Sequence, residues 1–265
     1  MWYNHFVTRS TVGKRSYRYR NIYGTSYHGD TMKLETPREN EGKKIIIECD
    51  GKQYQRIPIK TKLVTKEDSI AEVAKTYAKE YLKEGDILFI SEKAVACSQG
   101  RAIPMSEIKP RKLAHFLTKF VYKSPHGIGL GIPETMEMAL RECGTLRILF
   151  AAGCSAIGKL FRRRGWFYKI AGYKARSIDG PTANTIPPYN TCVVLGPEKP
   201  DAVATEVASV IGAACLVVDI NDIDGVILGA SDASLDRELY RKILSDNPLG
   251  QDCQQTPMGI IRPVL

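Results

Sequence analysis

Residues 217–231 read VVDINDIDGVILGAS. Two valines lead into Asp219; Asn221, Asp222 and Asp224 follow, and Gly225 opens a second apolar run, Val226-Ile227-Leu228. β-Branched residues on both sides of an Asp-Gly corner predict two strands joined by a turn. A turn needs one or two Asx residues, whereas this corner carries three carboxylates and an amide. Oxygen donors in that number also suit a hard metal ion. Taken alone, Asp219 is an ordinary strand-end residue and Asp224-Gly225 an ordinary turn pair.

On either side of this corner the sequence alternates helical and extended patterns. Residues 191–195 read as a strand and 200–211 as a helix whose Val203, Val207, Val210 and Ile211 share a face. Asp201 falls in its first turn, where the helix dipole favours an acid. A helix over 235–244 and a last strand over 258–262 come after the acidic corner. Upstream, 44–47 and 53–59 flank Asp50-Gly51, a hairpin signal. Residues 68–82 carry Ile70, Val73, Ala74, Tyr77 and Tyr81 on one stripe of a helix, and 86–91 (DILFIS) read as a buried strand. Helices over 110–121 and 133–142 each begin with proline. The apolar run 146–151 reads as a strand, and 165–170 as a further one. Because helices and strands mix without a regular βαβ rhythm, the fold class is α+β (mixed α/β).

With 265 residues, 43% hydrophobic and 25% charged, the chain can bury a sizeable core. No apolar run approaches the ~20 residues of a membrane span. Seven cysteines, odd in number and with no CxxC pair, exclude a zinc ribbon. They read as reduced, mostly buried thiols of a cytoplasmic protein. Residues 1–40 form a basic, aromatic-rich extension expected to be poorly ordered, and 41–265 a globular domain. The first 29 residues hold seven aromatics and no acid, without a secretory apolar segment. They resemble an organellar transit segment, a nucleic-acid-binding arm, or sequence upstream of a true start at Met32.

The net charge is +9, and no acid occurs between Cys143 and Ile178, which hold Arg147, Lys159, Arg162, Arg163, Arg164, Lys169, Lys174 and Arg176. That field favours an anion such as a nucleotide, a phosphorylated small molecule or RNA; a solvated loop is the plainer alternative. Within it, Gly153–Lys159 fits GxxxxGK after a predicted strand, but Leu160 stands where a P-loop carries its magnesium-binding hydroxyl. A glycine-softened turn is the better reading. No Ser-His-Asp or Cys-His set competes for catalysis. His5 and His28 fall in the extension, His115 on a helix beside apolar residues, and His126 in a glycine loop.

Four separated segments together resemble the coenzyme F-420-0:gamma-glutamyl ligases. They are Ile57–Val64 with the Glu67–Ile70 helix start; Glu84–Leu88 leading to Ser91-Glu92-Lys93 and Gln99-Gly100-Arg101; Ile178-Asp179-Gly180 with Gly196–Asp201; and Val218-Asp219 followed by Pro248–Gln251 and Thr256–Arg262. The resemblance implies a gamma-glutamyl ligase-like fold, mixed sheets flanked by helices, and an intertwined homodimer. It implies an enzyme that uses GTP, or ATP, with Mg2+ or Mn2+ to activate a carboxylate acceptor as an acyl phosphate. The amine of L-glutamate then attacks. F-420-0 is the acceptor implied, with a folate-type acceptor as the alternative.

By the same resemblance Asp179 and Asp219 are catalytic metal ligands. The family's next ligand, a threonine, falls here on Ile220, so Asn221 and Asp222 are the substitutes. The nucleotide would meet Thr61, Lys62, Leu63, Val64, Glu92, Lys93, Gly250 and Gln251, with Thr182 or Asn184 replacing a family asparagine. Cys97 stands where the family often has lysine, and the stretch 144–177 is longer than the family's. Membrane partners are not expected, and a non-enzymatic nucleotide- or RNA-binding protein using 143–178 is the rival class.

Overall fold

A computed structural model describes residues 37–121, 128–161, 165–183, 185–222, 225–251 and 253–264. The chain divides into two compact units between Leu34 and Glu35, and every described element belongs to the Glu35–Leu265 unit. The N-terminal extension up to residue 36, His126, Asn184 and Asp224 lie outside the described residues.

The expected hairpin is built from β1 (Ile46–Cys49) and β2 (Lys52–Ile59), paired antiparallel. Its corner has Asp50 and Gly51 both at positive φ, 51° and 75°, which is the two-residue turn an Asp-Gly pair favours. The chain then forms α1 (Ile70–Tyr77), where Ser69 Oγ accepts from Glu72 N and Ile70, Val73, Ala74 and Tyr77 are buried. Residues Lys79–Tyr81 tighten into a 3-10 turn. β3 (Ile87–Ser91) is buried almost throughout and runs directly into α2 (Glu92–Ser98).

Six strands form one mixed sheet in the order β1-β2-β8-β3-β6-β7, with β6 (Ala214–Ile220), β7 (Gly225–Ala230) and β8 (Met258–Val264). β3 and β6 are parallel and every other neighbour is antiparallel. One face packs Ile87, Phe89, Leu216, Val218 and Ile261 with Ile243 and Leu244, at the end of α9 (Arg237–Ile243). α8 (Pro200–Ile211) packs against α1, β6 and β7. Its Asp201 accepts from Ala230 N at 2.9 Å and from Arg237 at 2.6 Å. Any side chain at Gly229 would land on the Pro200 backbone.

The second core is helical. It gathers α3 (Lys112–Thr118), α4 (Pro133–Glu142), α5 (Thr145–Leu160), α6 (Trp166–Ala171) and α7 (Tyr173–Arg176) against β4 (Ala102–Pro104) and β5 (Cys192–Val194). Here two expectations fail. The run 146–151 is the start of α5, and 165–170 lies in α6. Short apolar runs do not separate strand from helix by hydrophobicity alone. Burial does: Ile148 and Ala151, three apart, are buried, while Leu146, Leu149 and Phe150 are exposed.

The GxxxxGK segment therefore lies within α5, where backbone N–H groups are engaged in the helix and cannot cradle a phosphate as a loop would. All seven cysteines are free; Cys97, Cys192 and Cys215 are buried, Cys253 is exposed, and the remainder are intermediate. His115 is exposed on α3 rather than packed. Among the described residues no helix is long and apolar enough to cross a membrane.

Candidate active site

The parallel pair β3 and β6 ends on the same edge of the sheet, and a cleft of about 830 Å³ opens there. Ligands of α/β sheets commonly bind outside the carboxyl ends of parallel strands, and this volume lies within the usual range for ligand sites. β6 delivers Asp219 to the cleft near the end of the strand. β3 delivers Glu92 and Lys93, because Ser91 Oγ accepts from Ala94 N at 3.3 Å and starts α2 at once.

Asp179 arrives from the other side. Its backbone is clamped to Val194 by two hydrogen bonds of 2.9 and 3.0 Å. Its carboxylate reaches Lys93 Nζ at 2.9 Å. Asp219 is raised above the ordinary carboxylate range, first by burial and then by the charge of Asp179, against the pull of Lys93, Arg176 and a hydrogen bond with Glu92. Glu92 itself is buried and is pushed up to about 8, by desolvation first and by Asp219 next. It accepts from Tyr173 Oη at 2.8 Å. At neutral pH Glu92 is thus mostly protonated, a hydrogen-bonding neutral group among charged ones.

The remaining expected residues collect around this centre. Lys62, Leu63, Val64, Thr182, Asn221, Asp222, Gly250 and Gln251 all line the cleft. The 62–64 segment is held by Tyr189 Oη, which donates to Val64 O at 2.7 Å, and by paired bonds between Thr61 and Gln255. Gly250 takes a positive φ of 78°, and Asn247 Nδ2 donates to its carbonyl at 2.9 Å. Thr182 shares a 2.7 Å hydrogen bond with Thr185. Thr61 does not line the cleft: it is buried, and its hydroxyl donates to Lys62 O at 2.7 Å. Asp222 lines the rim with one oxygen 2.7 Å from Lys43 Nζ.

Three residues escaped the sequence. Tyr173 orients Glu92, Tyr189 braces the 62–64 segment, and Arg176 lines the cleft near Asp219. In the sequence Arg176 is one of eight scattered cations; its place three residues before Asp179 is the available signal. Cys97 also lines the wall, and burial pushes its thiol up to about 11.

Asp179 and Asp219 supply hard oxygen donors, and Asp219 is made uncomfortable by burial and by the charge of Asp179, the chemistry a divalent cation relieves. Among the described residues no three His, Cys, Asp or Glu side chains converge as a metal-binding group. Mg2+ does not require such a cage, since one or two carboxylates with phosphate oxygens and water commonly hold it. The donor set fits such an ion.

The family comparison assigns this domain, a mixed sheet whose parallel strand ends open on a carboxylate cleft beside a helical layer, to a class of ligases. Residues 58–228, more than half of the chain, match the family model described as F420-0:Gamma-glutamyl ligase, and the chain belongs to that family. The matched span contains Lys62, Glu92, Lys93, Asp179 and Asp219. A comparison with curated proteins finds no match.

Proposed function

We propose that this chain is a nucleotide- and divalent-cation-dependent ligase that joins L-glutamate to a carboxylate acceptor, F420-0 being the acceptor its family points to. The observation that carries this reading is the convergence of Asp179, Asp219, Glu92 and Lys93 in one cleft with the 62–64 and 250–251 segments.

The chemistry requires two transfers. An acceptor carboxylate oxygen bonds to the terminal phosphorus of GTP or ATP, and the bond to the nucleoside diphosphate breaks. The glutamate amine then attacks the acyl carbon, phosphate leaves with the bonding pair, and the amine loses a proton. Phosphoryl transfer asks the protein chiefly to position groups and balance charge. Asp179 and Asp219 are the residues to hold Mg2+ or Mn2+, with Asn221 and Asp222 beside them. When bound, that ion would offset charge on the phosphate oxygens.

Lys93 already counters one carboxylate, and neutral Glu92 adds no negative charge toward the phosphates. The 62–64 and 250–251 segments line the cleft where the nucleotide would lie. The homodimer belongs to the same proposal, and the exposed apolar face of α5 (Leu146, Phe150, Ile157) supports it. The test is nucleotide turnover: diphosphate and phosphate should appear only when acceptor and L-glutamate are both present. Turnover without either substrate, or none with both, defeats the reading.

A further inference from the structure

Most cations around the cleft are already neutralised. Lys93 lies 2.9 Å from Asp179, Lys62 lies 2.5 Å from Asp68, and Lys43 lies 2.7 Å from Asp222. Arg176 is different. It lines the cleft and is exposed, and among the described residues its side chain makes no hydrogen bond or ion pair; only its backbone N–H donates, to Gly172 O. Its charge favours the ionised form of Asp219, and both residues line the same cleft. Among the described residues it is also the only cation of the acid-free 143–178 stretch that lines the cleft.

Its backbone is fixed on both sides. Three residues earlier, Tyr173 Oη donates to Glu92 at 2.8 Å. One residue later, Ser177 is buried against Gly196, where any side chain would strike its hydroxyl. Between them Ala175 is anchored in the helical core. The guanidinium carried on this base can grip a planar oxyanion with two parallel hydrogen bonds.

We infer that Arg176 forms a carboxylate-binding subsite, taking a carboxylate of the acceptor or of the amino acid rather than the nucleotide phosphates. Of the residues assigned to the nucleotide, 61–64, 92–93 and 250–251 come from the sheet side, around β2, α2 and the 247–257 loop, while Thr182 follows Asp179 on the other wall. Arg176 comes from the helical side, through α7. The two walls face one cleft. The assignment rests on the ligase reading for the identity of the two carboxylates, but the subsite is testable by binding alone.

Calorimetry of the full chain and of Arg176→Gln with F420-0, L-glutamate and GTP, each with Mg2+, separates the cases. One of the two carboxylate ligands should bind about 10- to 100-fold more weakly to Arg176→Gln, a loss expected for a charge-assisted bidentate contact. GTP should change less than about threefold, and Arg176→Lys should recover only part of the loss because it keeps the charge without the fork. Equal affinities in both proteins, a loss confined to GTP, or a wild-type chain that binds neither carboxylate overturns the assignment. A wild-type chain that binds them through Arg176 yet adds no glutamyl unit leaves the subsite standing and sinks the ligase reading instead.

Discussion

Lys93 Nζ lies 2.9 Å from Asp179 Oδ2, so a residue following β3 and a residue bridged to β5 meet across the cleft. The contact joins the two carboxylate-bearing walls before any ligand is present. Because Asp219 is raised partly by the charge of Asp179, removing the Asp179 charge relieves Asp219. Asp179→Asn and Asp219→Asn should therefore lower turnover on the order of 100-fold or more without lowering the melting temperature. Kinetics and thermal melts on the same samples check this. A melt that collapses would make these residues structural.

Glu137 offers a pH test away from the cleft. Its side chain is 2% exposed and accepts from Arg111 N at 3.1 Å, Arg111 Nε at 3.0 Å and Arg141 Nε at 2.9 Å. Burial alone would raise its pKa, but these donors outweigh burial and hold it below the ordinary value. A depressed folded pKa gives stability that is present above the unfolded value near 4.5 and is lost as pH falls through the folded one. Glu137→Gln should cost about 2 kcal/mol at pH 7, and the gap to wild type should narrow below about pH 4. Denaturant midpoints at neutral pH and at about pH 3.5 measure it. A constant gap would contradict the ion-pair account.

The α5 assignment can be checked by substitution pattern. As a strand, Leu146, Ile148 and Phe150 would share a face; as a helix, Ile148 is buried and the other two are exposed. Ile148→Ala should cost about 2–4 kcal/mol, whereas Leu146→Glu should change monomer stability by no more than about 0.5 kcal/mol. Comparable losses at both positions would restore the strand.

Gly229 is where β7 meets the first turn of α8. Gly229→Ala puts a methyl onto the Pro200 backbone, which cannot swing aside as a side chain would. Destabilisation of about 2–3 kcal/mol is expected, the scale of overpacking a tight contact. Urea unfolding reads it directly, and a neutral result would show that the two elements can part.

How far the sequence alone led depended on whether pattern or neighbours decided each element. The Asp50-Gly51 corner and the Pro133 and Pro200 helix starts are local chemistry, and the structure keeps all three. The 217–231 hairpin was legible for the same reason, since valines and a glycine corner specify it locally. α5 was not, because its first turns have apolar residues on both faces and only the helical core tells Ile148 from Leu149. The cleft was legible in a different way. Asp179 and Asp219 are forty residues apart and individually unremarkable, and only the shared order of family segments paired them. Arg176 and Tyr173 lie in the stretch where the chain departs from that pattern, so their roles came from geometry alone.

The central claim is that the carboxylate cleft builds an amide. Mass spectrometry of F420-0 incubated with the full chain, L-glutamate, GTP and Mg2+ tests it most directly. The account predicts a product heavier by one or more glutamyl units, absent with Asp219→Asn and absent in the presence of a chelator. Unmodified acceptor with F420-0 and with a tetrahydrofolate alike, from a chain shown to be folded, would contradict it.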